Sequence, residues 1–226
     1  MEAFRQFLQS QQNIHFLFVD DGSTDGTSEL IKNGLNSFES RFGILKLSTN
    51  SGKAEAVRSG VLKASEKNEF DFLGYWDADL STPLAELEPM IQSLETGMKM
   101  MTMGSRINRL GVRIHRNLAR HYTGRVFSTL TSLILGLPVY DTQCGAKILT
   151  KNLVSLFEKP FISRWLFDVE LLARYRNAFG KSEALRSIHE YPLSEWTEKG
   201  DSRIIFSDIL LVPFDLLRIL WKYNRH

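Results

Sequence analysis

The 226-residue chain contains a single cysteine, Cys144, which excludes an intrachain disulfide and is typical of a reducing compartment. We expect no leader, because residues 1–12 are polar and contain no apolar core. No uninterrupted apolar run reaches the length of a membrane span. The longest candidate, residues 204–221, is interrupted by Asp208, Pro213, Asp215 and Arg218. We therefore expect a protein with no disulfide, no leader and no membrane-spanning segment.

Acidic residues are absent from residues 96–140, although the whole chain is nearly balanced, with a net charge of +2. Six arginines lie in this acid-free stretch: Arg106, Arg109, Arg113, Arg116, Arg120 and Arg125. The four from Arg109 to Arg120 step by four, three and four, which places them on one helix face if the segment is helical. Such a face predicts an anionic partner, either pyrophosphate, a phospholipid surface or nucleic acid; a merely solvated face is the alternative.

The sequence also lacks the patterns of a zinc site and of a nucleic-acid-binding surface. The histidines show no metal-ligand spacing, so we expect no zinc site. The arginine stretch has no interleaved aromatic platform, so we expect no nucleic-acid partner.

The remaining pattern is that of a globular protein, with 43% hydrophobic and 24% charged residues and no repeats or linkers. It predicts helices over residues 1–12, 27–38, 53–65 and 84–95, alternating with strands over 14–19, 43–47, 70–76 and 98–103. This alternation predicts an α/β fold whose mostly parallel sheet is covered by helices. Beyond residue 104 we expect helices over 113–135, 152–157, 167–179 and 208–223, and strands over 146–149 and 185–191.

Acidic side chains follow two of the predicted strands at the point where each strand ends. Asp20 and Asp21 follow residues 14–19, and Asp77 and Asp79 follow residues 70–76. Strands that are apolar on both faces lie in the middle of an α/β sheet, and ligands bind outside the carboxyl ends of such strands. Four carboxylates at one edge repel one another unless a cation lies between them. The sequence therefore predicts a divalent metal that carries a phosphorylated ligand.

Each of these elements also has a simpler interpretation. Most Asp-x-Asp elements are surface turns, and the turn at residues 20–23 is compatible with an ordinary capped strand-to-helix connection. Residues 50–53 (Asn-Ser-Gly-Lys) precede a predicted helix and suit a phosphate, although they lack the Walker spacing. A capped helix start explains them nearly as well.

Two apolar segments have two interpretations each. Residues 126–139 follow the arginines and would be core, or would guide a lipid chain whose phosphate the arginines hold. The terminal helix would also be core, but its basic flanks suit a membrane interface.

Six motifs occur in an order that resembles the family 2 glycosyltransferases of the GT-A fold: Val-Asp-Asp-Gly-Ser at 19–23, Asn-Ser-Gly-Lys at 50–53, Asp-Ala-Asp at 77–79, Gly-Ser-Arg at 104–106, Asp-Thr-Gln-Cys-Gly at 141–145 and Arg-Trp-Leu-Phe-Asp-Val-Glu at 164–170. Within that family the chain resembles the polyprenyl- and dolichyl-phosphate hexosyltransferases. The last two motifs are more similar to the dolichyl-phosphate glucose synthases than to the mannose synthases. The resemblance covers residues 13–196.

The resemblance implies roles for the residues on the donor side of the site. Asp20 and Asp21 would hold the base and ribose of a nucleotide-sugar, and Lys53 would lie near the nucleotide. Asp77 and Asp79 would bind the donor diphosphate through Mg²⁺ or Mn²⁺, with Asp79 the more direct ligand.

The resemblance also implies roles on the sugar and acceptor side. Arg106, Arg113 and Arg116 would hold donor or acceptor phosphate. Gln143 and Asp141 would line the sugar site, Trp165 would pack against sugar or acceptor, and Asp168 would stand where many relatives carry a catalytic base. The catalytic candidates are therefore Asp168, Asp141 and Arg106.

The implied activity is an inverting, metal-dependent transfer of a hexose, glucose from UDP-glucose by family likeness, to a polyprenyl or dolichyl phosphate. A sugar hydroxyl as acceptor, in polysaccharide or glycolipid synthesis, is one alternative, and a binding protein without turnover is another. The resemblance implies an α/β fold of the GT-A type, with a Rossmann-like mixed sheet that has helices on both faces. We expect one GT-A domain, with residues 1–105 binding the donor, residues 106–200 binding the acceptor and residues 204–223 forming an amphipathic helix. We also expect a peripheral protein at the cytoplasmic face of the membrane. Relatives begin with a central strand that precedes the first helix seen here, so we expect the sheet to lack it.

Overall fold

The structure, a computed structural model, describes residues 1–115, 118–199 and 206–223. The helices within these residues are α1 (Glu2–Ser10), α2 (Thr27–Leu35), α3 (Lys53–Ser65), α4 (Leu87–Thr96), α5 (Leu118–Leu135), α6 (Phe167–Phe179), α7 (Lys181–Ser187) and α8 (Phe206–Tyr223). The strands are β1 (Phe16–Asp20), β2 (Phe42–Lys46), β3 (Phe72–Trp76), β4 (Met101–Ser105), β5 (Arg113–His115), β6 (Ala146–Thr150), β7 (Ile188–Pro192) and β8 (Glu195–Thr197).

The described strands form three sheets. β1 pairs with β2 in parallel, and β5 pairs with β8 in parallel. The largest sheet has the order β3-β6-β4-β7, in which β6 is antiparallel to both of its neighbours and β4 is parallel to β7. The prediction of an α/β fold with a mixed sheet, which the GT-A resemblance implies, is confirmed; only the mostly parallel pairing expected from the alternation of elements is not found in the main sheet.

Helix α3 joins the two sheets that carry the acidic residues, because it packs against both β1 and β3. Its residue Gly60 lies so close to β1 that a Cβ there would come within 2.7 Å of Val19 Cγ2. β1 and β3 are not hydrogen-bonded to each other, and no described strand is paired between them.

The main core lies between the four-stranded sheet and α6. Every residue of β4 is buried, and residues 167–175 of α6 are buried without interruption. Each large apolar side chain that is fully buried contributes about 1.5–3 kcal/mol relative to exposure. The residues at the start of α6 are therefore held by a helix that is buried from Phe167 to Tyr175.

The predicted helix over residues 113–135 is wrong at its beginning. Residues 113–115 form β5 instead, because they pair in parallel with β8, and Arg113 forms a 3.2 Å ion pair with Glu195. Arg109 lies in the turn before β5, so the predicted arginine helix face does not exist across Arg109 and Arg113. Arg116 lies outside the described residues.

The other boundaries mostly agree with prediction. α3 and α6 match their predicted ranges, whereas the predicted strand over 185–191 is helical at 185–187, where α7 ends. α8 begins at Phe206 and contains Pro213 within the helix. In the part of the chain that the structure describes, no helix is both long and apolar enough to span a bilayer.

Candidate active site

Three chain segments meet at the carboxyl ends of β3 and β4. Asp77 follows β3, Arg106 follows β4, and the loop of residues 141–145 precedes β6. The Asp77 backbone N–H donates to the Gly145 carbonyl at 2.8 Å, and the Arg106 backbone N–H donates to Asp141 Oδ2 at 3.1 Å. Three of the six motifs are thereby brought together at this edge of the sheet.

Lys53, the first residue of α3, supplies a positive charge at this edge. Its Nζ lies 2.6 Å from Asp77 Oδ1, and both side chains are about one-third exposed, at 32% and 37%. Burial opposes the charged amine, but the nearby carboxylates of Asp77 and Asp168 raise the pKa of Lys53. The lysine is therefore a fixed cation beside the first carboxylate of the Asp-x-Asp element.

Gly145 shapes the position of the Asp77 carboxylate. A Cβ built at residue 145 would overlap the carboxylate atoms of Asp77, so only glycine leaves room for this arrangement. Asp79 is exposed, and its Oδ1 accepts a 2.8 Å hydrogen bond from the Ser81 backbone N–H. The two carboxylates thus project from one strand end.

Asp77 and Asp79 fit a magnesium or manganese ion that is bound partly by the protein and partly by substrate phosphates. No cluster of three or more histidine, cysteine or acidic side chains that could hold a metal occurs within the described residues. Such ions are commonly held by one or two carboxylates together with substrate phosphates. Asp77 and Asp79 match that arrangement, whereas an ion held by protein ligands alone is not supported.

Arg106 and Asp141 form a buried bidentate ion pair. Arg106 Nε lies 2.6 Å from Asp141 Oδ2, and Nη2 lies 2.8 Å from Oδ1. The guanidinium also lies over the Trp196 ring, 5.2 Å from its centroid. Burial alone would raise the pKa of Asp141, but the charge and hydrogen bonds of Arg106 lower it to about 2. Asp141 is therefore a permanent anion that fixes the arginine.

Glu190 holds the Asp141 loop from the side of β7. Its carboxylate accepts hydrogen bonds from the backbone N–H groups of Tyr140 and Asp141 and from Ser105 Oγ. Burial raises the pKa of Glu190, and these hydrogen bonds oppose the shift. Glu190 was not predicted from the sequence, because no local pattern relates a glutamate to an aspartate 49 positions earlier.

Asp168 is buried in a network with Tyr75 and Lys147, and only 2% of its surface is exposed. Its Oδ1 accepts hydrogen bonds from Tyr75 Oη at 2.5 Å and from Lys147 Nζ at 2.6 Å. Burial, and then the Asp168 charge, raise the pKa of Tyr75 well above its ordinary value. A carboxylate with two donors on one oxygen is suited to orienting its neighbours, and a base role for Asp168 stays a prediction.

The first two motifs are joined by the acidic pair at residues 20–21. Asp20 is 4% exposed and accepts hydrogen bonds from the Ser23 backbone N–H and from Ser28 Oγ. These hydrogen bonds, that of Ser28 first, lower the pKa of Asp20. Asp21 accepts from the backbone N–H groups of Ser51 and Gly52, at 2.7 and 2.8 Å. Both carboxylates thus shape the turns, and nucleotide binding by them stays a prediction.

Arg164 connects the last motif to the turn at residues 50–53. Its Nη2 donates to Asn50 Oδ1 at 3.2 Å, and its guanidinium covers Gly52, where a Cβ would lie 2.5 Å from Arg164 Nε. The neighbouring Trp165 is half-buried. The close approach of Arg164 accounts for the glycine at position 52, which the sequence alone did not explain.

Gln143 carries an unsatisfied donor beside the ion pair. Its Nε2 is inaccessible to solvent and has no hydrogen-bond partner in the described part of the chain. Because a buried amide without a partner costs free energy, a ligand oxygen here would satisfy it. Arg113, in contrast, is mostly exposed and paired with Glu195, in the separate β5–β8 sheet.

The comparisons with known proteins identify the family and the fold. The model of the family described as "Glycosyl transferase family 2" matches residues 2–157. Among solved structures, a glucosyl-3-phosphoglycerate synthase of Mycobacterium tuberculosis, crystallised with Mn²⁺, UDP and glucosyl-3-phosphoglycerate, has a TM-score of 0.67 at 16% identity, covering 98% of this chain and 74% of that one. A mannosyltransferase of Pyrobaculum calidifontis, crystallised with GDP-Man and Mn²⁺, has a TM-score of 0.57 at 11% identity, covering 100% and 60%. The fold is therefore GT-A.

Curated relatives include three dolichyl-phosphate beta-glucosyltransferases. That of Trichomonas vaginalis is 31% identical over 209 residues, covering 90% of this chain and 58% of the relative. That of Saccharomyces cerevisiae is 27% identical, covering 92% and 67%, and that of Mus musculus is 30% identical, covering 92% and 63%. The chain thus spans about three fifths to two thirds of the length of these relatives. On the family match and the shared fold, the chain belongs to glycosyl transferase family 2.

Proposed function

We propose that this chain transfers glucose from UDP-glucose to a polyprenyl or dolichyl phosphate, with inversion at the anomeric carbon. The observation that carries the proposal is the assembly of Lys53, the Asp77–Asp79 pair and the Arg106–Asp141 pair around Gly145. The relatives named dolichyl-phosphate beta-glucosyltransferases support this donor sugar and this acceptor.

The proposed chemistry is a single displacement. The acceptor oxygen forms a bond to the anomeric carbon while the bond from that carbon to the nucleoside diphosphate breaks. Lys53 and Arg106 place positive charge at the site, which stabilises the charge that develops on the leaving diphosphate. A divalent cation bound by Asp77 and Asp79 would add to that stabilisation as a Lewis acid.

The burial and the hydrogen bonds of Asp168 favour a phosphate as acceptor. A sugar hydroxyl needs a general base within reach of its proton. A phosphomonoester needs none, because its second pKa is about 6 and it is already anionic at neutral pH. The Asp168 carboxylate is buried and engaged by Tyr75 and Lys147, so it is better placed to orient than to accept a proton.

We further propose that the chain contacts the cytoplasmic face of a membrane as a peripheral protein. α5 and α8 pack on each other and on α6, and each exposes large apolar side chains along its length. These are Val126, Leu130 and Leu133 on α5, and Leu211, Phe214, Leu217 and Trp221 on α8. Arg125, Arg218 and Lys222 on the same helices suit anionic headgroups. An exposed apolar surface with basic residues beside it is typical of membrane contact.

The proposal is tested by incubating the protein with UDP-glucose, a short polyprenyl phosphate and Mn²⁺ or Mg²⁺. We expect a butanol-extractable glucolipid from the wild type, and a loss of at least about 100-fold in Asp79→Ala, as for groups that stabilise a transition state electrostatically. Asp71→Ala is the matched control, because Asp71 is an exposed aspartate before the other end of β3, and it should keep full activity.

Other outcomes identify the alternatives. Transfer only to sugar hydroxyls would contradict the lipid-phosphate acceptor and establish the hydroxyl-acceptor function. Metal-dependent binding of UDP without release or transfer of glucose would establish a binding protein. A fully active Asp79→Ala variant would contradict the metal site.

A further inference from the structure

We infer that Lys147 is a positioning residue of the transfer site, which holds the loop of residues 141–145 and Asp168 in one arrangement. The expected change in kcat rests on the proposed glucosyl transfer. Lys147 belongs to none of the six motifs.

Lys147 lies in β6 and is fully buried. Its ammonium group makes three contacts, donating to the Thr142 carbonyl at 3.0 Å, to the Cys144 carbonyl at 2.7 Å and to Asp168 Oδ1 at 2.6 Å. A lysine ammonium has three donors and no acceptor. The number of acceptors around it therefore equals the number of protons it carries.

The two carbonyls belong to the loop that connects both sides of the site. Asp141, at the beginning of the loop, fixes Arg106, and Gly145, at its end, contacts Asp77. Lys147 holds the loop between these two residues from the side of the core. A shift of the loop would therefore move the arginine and the first Asp-x-Asp carboxylate together.

The third contact joins the loop to α6. Asp168 lies at the start of α6 and also accepts from Tyr75 on β3, so Lys147 links β6, the loop, β3 and α6 through one cation. Buried ion pairs are weak sources of stability, since desolvation of the charges offsets their attraction. Lys147→Met removes only one partner and leaves the Asp168 carboxylate buried without its counterion, so the variant also loses stability. The role of Lys147 in geometry is therefore tested where the variant is folded, against a control that loses a comparable buried cation.

Arg174 provides a matched control within the same fold. It is also a buried cation, it pairs with Glu170 on α6, and it donates to the carbonyls of Leu156, Lys159 and Pro160. Glu170 is the last residue of the motif at 164–170, but in the described part of the chain none of these partners makes a hydrogen bond or ion pair with Asp168, the loop of residues 141–145 or the residues around Gly145. Arg174→Met should therefore reproduce the loss of a buried cation without moving the loop of residues 141–145.

The test compares Lys147→Met with Arg174→Met in glucosyl transfer at a temperature where both are folded. We expect Lys147→Met to lower kcat by about 10–100-fold, the range found when the supporting partners of a site are removed. The KM for UDP-glucose should change by less than about threefold, because the lost interaction acts on the arrangement of reacting groups. Arg174→Met should keep kcat, and Tyr75→Phe, a milder change of the same network, should lower kcat less than Lys147→Met.

A second readout does not depend on turnover. Amide hydrogen exchange of residues 142–145 should accelerate at least about tenfold in Lys147→Met and stay unchanged in Arg174→Met. Equal kcat in the wild type and Lys147→Met, or unchanged loop exchange, would overturn the inference. A wild-type protein that transfers no glucose would contradict the proposed function alone, and the exchange experiment would still decide the role of Lys147.

Discussion

The ion pair between Arg106 and Asp141 makes the stability of the folded protein depend on pH. Arg106 overcomes the effect of burial and lowers the pKa of Asp141 to about 2, from an ordinary 3.8. The folded state therefore binds this proton more weakly than the unfolded state does. The stabilisation is complete above pH ~4 and is lost as the pH falls towards ~2. The shift corresponds to about 2 kcal/mol.

We expect Asp141→Asn to lower the free energy of unfolding near neutral pH by about 3–5 kcal/mol, because Arg106 then stays buried without its counterion. The difference from the wild type should shrink by about 2 kcal/mol as the pH falls from ~5 to ~2, where the wild-type carboxyl becomes protonated. Urea unfolding at several pH values measures both quantities. Asp71→Asn, at an exposed aspartate, is the control. A difference that stays constant with pH would contradict the assigned pKa.

Gly145 offers a test of how closely the Asp77 carboxylate must be placed. A Cβ at residue 145 would overlap that carboxylate, so Gly145→Ala should displace it. We expect kcat/KM for UDP-glucose to fall by about 100-fold, the effect of a displacement near 1 Å at a reacting group. Gly43→Ala, whose Cβ would meet only a Leu17 methyl at 3.2 Å, is the control. Full activity of Gly145→Ala would show that the contact does not position Asp77.

The sequence predicted many residues of the site but few of their contacts. Asp77 was recognisable because it follows a strand whose apolar pattern was clear, and Arg106 because it lies in the acid-free stretch and in one of the six motifs. The supporting residues were not, since Lys147 and its partner Asp168 are 21 residues apart and Glu190 lies 49 residues from Asp141. One signal was available: a lysine inside the short apolar strand β6 needs a buried acceptor.

Among the elements, the arginine stretch shows where periodicity misleads. The spacing of Arg109 and Arg113 fits one helical face, but residues 113–115 form β5, because β8 offers a strand partner about 80 residues later. A three-residue strand has too few positions to show an alternating pattern. The spacing of the arginines therefore led to the prediction of a helix. In contrast, α3 and α6 have 13 residues each, and both of their ends were predicted correctly.

The exposed apolar side of α8 is the element that we propose contacts the membrane. Phe214 and Leu217 are 62% and 59% exposed, and replacing both by serine should leave the buried side of the helix intact. Each large apolar side chain contributes about 1.5–3 kcal/mol when it leaves water, so the double variant should bind vesicles at least about tenfold more weakly.

Cosedimentation with vesicles of phosphatidylcholine and phosphatidylglycerol measures this binding. Leu30→Ser is the matched control, because Leu30 is 62% exposed on α2 and should not affect vesicle binding. Equal binding by the wild type and the double variant would contradict contact through α8.

For the molecule as a whole, the alternation of helices and strands predicted the fold class but not the pairing of the strands. β6 lies between β3 and β4 and is antiparallel to both, which no local pattern indicates, because pairing depends on contacts distant in sequence. The two sheets that carry the motifs are joined through α3 rather than through strand hydrogen bonds. The acidic pair at residues 20–21 is therefore built on a smaller sheet than Asp77 and Arg106 are.

The separation of the β1–β2 sheet from the four-stranded sheet predicts that their amides are protected unequally from hydrogen exchange. Every residue of β4 is buried between β6 and β7, whereas β1 and β2 are mostly half-buried and pair only with each other among the described strands. Elements with less burial open at lower free energy than the global unfolding reaction. We expect amides of β1 and β2 to exchange at a free energy at least about 2 kcal/mol below those of β4 and β6.

Ligand binding should reduce that difference if the proposed donor site is correct. UDP with Mn²⁺ at about 100 times its dissociation constant stabilises the binding-competent state by about 2.7 kcal/mol. Exchange should therefore slow around residues 20–23 and 50–53, and Asp79→Ala should lose the part of the effect that requires Mn²⁺. Mass-spectrometric hydrogen exchange measures both states. Equal protection of the two sheets without ligand would contradict the separation, and protection confined to the β5–β8 sheet would contradict the donor site.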